Sequence, residues 1–129
     1  MRSAAPRFLL GAMLGLGVLT GAASADAKVL ATGLMLSSNA DLIDCFVSNI
    51  SDEVVPVALA KVYSYQGAQL AGSDTCSGTN LAAGKTCTVS VPAQAGRFVV
   101  RFTAADRAIR AQCQFTSDQN DILATMEAR

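Results

Sequence analysis

Cys45, Cys76, Cys87 and Cys113 carry the most distinctive chemistry in this 129-residue sequence. A thiol can act as nucleophile, metal ligand or disulfide partner, and its spacing and neighbours decide which. The sequence contains no histidine. That removes Cys-His and Ser-His-Asp catalysis, histidine metal sites and a histidine pH switch together. The spacing of Cys76 and Cys87 fits no zinc pattern. Disulfides remain, and four cysteines allow three pairings. Cys76 and Cys87 flank a glycine-rich loop, whereas Cys45 and Cys113 fall on the inward faces of alternating segments. This arrangement favours the pairs Cys76–Cys87 and Cys45–Cys113.

The other chemically suggestive clusters have simpler readings. Ala83-Gly84-Lys85-Thr86 matches the end of a phosphate-binding loop, but Thr79 stands where that motif needs its first glycine. A strand, not a helix, is expected to follow. Asp41 with Asp44, and Asp118 with Asn120 and Asp121, are the acidic clusters. The stretch 117–121 lacks the turn glycine and distal glutamate of a calcium-binding loop and reads as a solvated turn. Tryptophan is absent, so a carboxylate pair would have no indole platform for a sugar. Asn49-Ile50-Ser51 is a glycosylation sequon in what reads as a surface turn. No catalytic, cofactor-binding or metal-ligating residue is assigned.

Arg97, Arg101, Arg107 and Arg110 concentrate basic charge in one region. If 97–102 and 109–115 form a hairpin with Phe102 opposite Ile109, then Arg101 falls opposite Arg110. Arg97, Arg101 and Arg110 then share one outer face. Like charges placed opposite one another are unfavourable unless neutralised. The face is therefore either solvated among acidic neighbours or a contact for an acidic partner or an anionic surface ligand.

The elements that must position these residues begin after an N-terminal segment of a different kind. Arg2 and Arg7 precede an uncharged apolar run over 8–19, and Ala23-Ser24-Ala25 supplies a small-x-small cleavage site. This is the layout of a secretory signal peptide over 1–25, leaving one domain over 26–129. Export to the periplasm or the exterior makes disulfides available. Without Arg2 and Arg7 the chain keeps eight basic and ten acidic residues, too balanced to attract nucleic acid. No later apolar run approaches the ~20 residues of a membrane span.

The remainder alternates with period two between turn signals, and no helix is expected. Strands are expected at 29–36, 43–48, 54–65, 69–73, 86–91, 97–102 and 109–115, with 122–126 as a last strand or a frayed tail. Pro56 marks an edge or the start of its strand. The inward sets include Ile43, Cys45 and Val47; Cys87, Val89 and Val91; Phe98, Val100 and Phe102; and Ile109, Ala111, Cys113 and Phe115. Seven or eight short strands in about 100 residues specify an all-β, antiparallel β-sandwich, with a small closed barrel as the structural alternative.

Cys45-Phe-Val-Ser-Asn49, the strand over 57–65 with Gly67, Cys76, and Leu81-Ala-Ala-Gly-Lys-Thr-Cys87 together resemble small secreted bacterial proteins with an immunoglobulin-like β-sandwich. Ile109-Arg-Ala111 resembles their closing strand, whereas Ala83 departs from the proline often found before the turn glycine. The resemblance implies the fold and export and carries no active site. The expected function is a non-enzymatic structural or protein-interaction module of the cell envelope or its surroundings. The alternatives are a small exported hydrolase using carboxylates or a Ser/Lys pair, and a fibre subunit that accepts a strand from its neighbour.

Overall fold

The computed structural model describes residues 25–36, 40–104, 107–117, 119 and 122–129. The segment 1–25 expected as a signal peptide therefore lies outside the described residues except for Ala25, as do Asp118, Asn120 and Asp121 of the expected acidic turn.

Alternating β-branched and aromatic residues produce nine strands among the described residues. They are β1 (Asp26–Ala31), β2 (Leu42–Asn49), β3 (Val55–Ser64), β4 (Ser73–Asp74), β5 (Thr79–Leu81), β6 (Thr86–Pro92), β7 (Gly96–Ala104), β8 (Ile109–Thr116) and β9 (Ile122–Glu127). They form two antiparallel sheets, one ordered β1-β7-β3-β5 and the other β4-β6-β2-β8-β9. The tail is thus a strand, paired with β8 from Gln112–Glu127 to Thr116–Ile122.

One core lies between the sheets. Ile43, Cys45, Val47, Val89, Val91, Cys113 and Phe115 enter it from the five-stranded sheet, and Val57, Val62, Phe98, Val100 and Phe102 from the other. The expected inward sets of β2, β6, β7 and β8 are buried throughout. In β3 the register shifts between Val57 and Leu59, so the buried positions change from Val55 and Val57 to Ala60 and Val62. A bulge moves alternate side chains to the other face in this way. Pro56 lies at the start of β3, before its ladder with β7 begins at Val57, where its missing N–H costs little.

Four expectations change. The strand expected over 69–73 is reduced to an isolated bridge of Gln69 to Tyr63 and to β4, which pairs with β6 in the other sheet. The first strand runs over Asp26–Ala31, and Met35 makes only an isolated bridge to Gly96. Thr32 still bonds Phe98, through both N–H to O and its own Oγ1, before the chain leaves the ladder at Gly33. The glycine-rich loop expected between Cys76 and Cys87 contains β5, and this segment carries the chain from the β4 edge of one sheet to the β5 edge of the other. Last, β7 and β8 do not form a hairpin: β7 pairs with β1 and β3, and β8 with β2 and β9. Period-two alternation identifies the inward face of a strand, and that face is the same for strands side by side or facing each other across the core.

Two glycines permit close backbone approach. A Cβ on Gly72 would lie 2.1 Å from the Ser90 carbonyl oxygen, and one on Gly96 would lie 2.6 Å from that of Tyr63. A Cβ on Gly33 meets nothing within 4 Å. Gly72→Ala and Gly96→Ala should each destabilise the fold by roughly 2 kcal/mol, since backbone must move. Gly33→Ala should remain within about 0.5 kcal/mol of the parent. Urea unfolding of the three variants checks this ranking, and equal midpoints would contradict it.

Candidate binding cleft

Both disulfides form in the expected pairs, and no cysteine is free. Cys45 and Cys113 sit directly opposite each other on β2 and β8, with Cα atoms 4.0 Å apart. This bridge lies within one sheet and closes a separation of 68 residues. Chain-entropy arguments assign such a closure about 4 kcal/mol, against about 3 kcal/mol for the shorter Cys76–Cys87 link. Cys76–Cys87 joins the segment crossing between the sheets to β6. Two disulfides of this kind belong to an oxidising environment.

Most of the polar clusters marked in the sequence serve the scaffold. Asp44 accepts hydrogen bonds from the hydroxyls of Ser90 and Thr116, tying β6 and β8 to β2. Gly84 has a positive φ of 70°, Lys85 is exposed on the turn, and Thr86 opens β6. Asn49 departs from expectation, because it is 1% exposed rather than on a surface turn. Its Nδ2 donates to the carbonyls of Glu53 (2.7 Å) and Leu81 (2.8 Å), and its Oδ1 accepts from the Ser51 N–H (3.0 Å) and Oγ (2.7 Å). The amide is saturated and links β2 to β5 across the sheets. A sequon and a buried turn organiser have the same letters, so the sequence held no signal to separate them.

The crossing segment is held by Asp74. Its Oδ1 accepts from the N–H groups of Cys76 (2.8 Å) and Ser77 (2.9 Å), and its Oδ2 meets Lys61 Nζ of β3 at 2.6 Å. Burial acts to raise the Asp74 carboxyl, but the Lys61 ammonium and the hydrogen bonds from Ser77 and Cys76 outweigh it and hold the pKa at about 2. The Ser77 hydroxyl also bonds both the N–H and the carbonyl of Ala60 beside the β3 bulge. This flank of the sandwich is firmly closed.

The arginines do not share one face. Arg97 and Arg101 are exposed on β7, with Arg101 in register with Val29 and Leu59. Arg110 is exposed on β8 in the other sheet, in register with Ser48. Arg110 instead joins Arg107, Lys28 and Arg129 around an open cleft of about 1280 Å³ at the flank opposite Asp74. Phe102, Ile109, Ala111 and Leu30 supply apolar lining, and Glu127 is its one acidic side chain. Val29 (58% exposed) and Ile50 (54%) also line it. Among the described residues the only ion pair is Lys61–Asp74, so none of the four cleft cations has a carboxylate partner there. Lys28 and Arg129 were missed in the sequence because they lie far apart along the chain. The pairing of Ala31 with Arg129 brings them together.

Asn49→Ala should destabilise the protein by roughly 3 kcal/mol, because it leaves the Leu81 carbonyl and its neighbours without their partner. Chemical denaturation measures it, and a loss below about 0.5 kcal/mol would contradict the bracing role. Asp74 gives a pH signature. Its folded pKa lies below the ordinary 3.8, so its stabilisation is complete above that value and is lost as pH falls towards about 2. Asp74→Asn should therefore cost roughly 2 kcal/mol at pH 7 and little at pH 2. Urea titrations across that range read the narrowing difference, and a gap independent of pH would refute it.

Comparisons with protein-family models, curated proteins and solved structures found no match for this chain.

Proposed function

We propose that this chain is an exported, non-enzymatic β-sandwich module of immunoglobulin-like shape. It acts through protein–protein contact in the bacterial cell envelope or outside it. The cleft carries this reading: four cations and exposed apolar side chains surround an open depression, and no carboxylate of a described residue pairs with those cations. Such a surface matches a partner with complementary charge. By contrast, Asp44, Asp74, Asn49 and Ser77 are engaged in holding strands and turns. The paired cysteines and the signal-like N-terminus support an extracytoplasmic location.

Photocrosslinking groups placed at Gln112 in the cleft, at Gln114 on the outer face of β8 and at Arg97 on β7 test the reading in the native host. The protein is expected in the extracytoplasmic fraction, beginning at Asp26, with oxidised cysteines and a discrete protein adduct at one or more positions. A cytoplasmic chain retaining Met1, or one without adducts at all three positions, would overturn it.

A further inference from the structure

The ladder geometry leaves one flank of β1 with unpaired main chain. Successive residues of an antiparallel strand direct their N–H and C=O groups to alternate sides. Thr32 donates to Phe98 of β7, so Leu30 and Lys28 also face β7. Ala31 faces the other way and exchanges both backbone bonds with Arg129, at 3.0 and 3.1 Å. By the same alternation Val29 and Ala27 present N–H and C=O on the Ala31 side, where no described strand pairs with them.

The opposite wall has the same character. The β8–β9 ladder ends at Gln112–Glu127, followed by the bond from Ala128 N–H to the Ala111 carbonyl at 2.9 Å. Ile109, two residues before Ala111, directs its main chain to the same flank beyond the end of β9. A strand continuing the line of Arg129, antiparallel to β1, would meet Val29 and Ala27 on one side and Ile109 on the other. The cleft occupies this position.

The lining defines what such a strand must carry. Lys28 is in register with buried Phe102, so its half-buried side chain belongs to the inward face of β1. A residue docked opposite Leu30 would contact apolar surface, and one opposite Lys28 would face an ammonium without an ion partner among the described residues. Arg107, Arg110 and Arg129 add positive charge around the cleft. We propose that the cleft is a strand-docking groove that binds an extended segment of a partner protein bearing interspersed apolar and acidic side chains. This rests on the interaction-module reading above and specifies its partner. Main-chain pairing would supply affinity, and the cations would select the sequence.

A short, end-blocked fluorescent peptide alternating valine and aspartate is the probe. Its controls are a valine–lysine peptide, a backbone N-methylated valine–aspartate peptide and phosphatidylglycerol vesicles. The disulfide-intact protein should bind the first peptide, more weakly as salt is raised, and should not bind the valine–lysine or N-methylated forms. Lys28→Glu and Arg110→Glu should each weaken binding about tenfold without altering the thermal melt. Val29→Pro, which removes an N–H from the free flank, should abolish it. The N-methylated peptide makes the same test with unaltered protein, so a folding defect in Val29→Pro would not obscure the outcome. Equal binding of the N-methylated peptide, binding to vesicles alone, self-association that the peptide does not displace, or no binding would overturn the groove. Adducts at Gln114 or Arg97 together with any of those results would leave the module reading intact and remove only the groove.

Discussion

Every strand edge exposes main-chain donors and acceptors that must find partners, and this domain treats its two flanks differently. On one flank the edge strands are short: β4 has two residues and β5 has three. The segment between them is bound in by Cys76–Cys87, by Lys61–Asp74, by Ser77 on Ala60 and by the Gly78 N–H to the Val57 carbonyl. Little edge remains there for another chain. On the other flank a backbone pair between Ala31 and Arg129 brings the sheets together, and the free side of β1 continues beyond it.

The contrast has an electrostatic counterpart. On the closed flank a lysine and a carboxylate satisfy each other, and the carboxylate's remaining capacity is taken by backbone N–H groups. At the cleft, Lys28, Arg107, Arg110 and Arg129 have one acidic neighbour among the described lining residues, Glu127, with which none forms an ion pair. Cations without a carboxylate partner among the described residues, beside exposed Val29 and Ile50, contribute little to folding. They do provide the combination of apolar contact and charge selectivity used by peptide-binding surfaces.

Alternation made the interior legible in the sequence. The inward sets of β2, β6, β7 and β8, including both cysteines of the long bridge, follow from a period of two and from β-branched and aromatic content. Partnership between strands did not follow, because the pattern is indifferent to which strand lies alongside. That is why Arg101 and Arg110, expected opposite each other, occupy different sheets. The β3 bulge hid the change of buried parity between Val57 and Ala60. Asn49 looked like a surface residue because its value lies in a contact with Leu81, 32 positions away. The cleft draws Lys28 and Arg129 from opposite ends of the domain, and no local pattern could have joined them.

Residue-resolved amide exchange of the unliganded protein tests the free β1 flank most directly. Alternation is expected along one strand: slow exchange at Lys28, Leu30 and Ala31, whose N–H groups meet β7 or Arg129, and fast exchange at Ala27 and Val29. Protection at Ala27 and Val29 equal to that at Leu30 would mean that the flank is already covered by the protein itself and is not open to a partner strand.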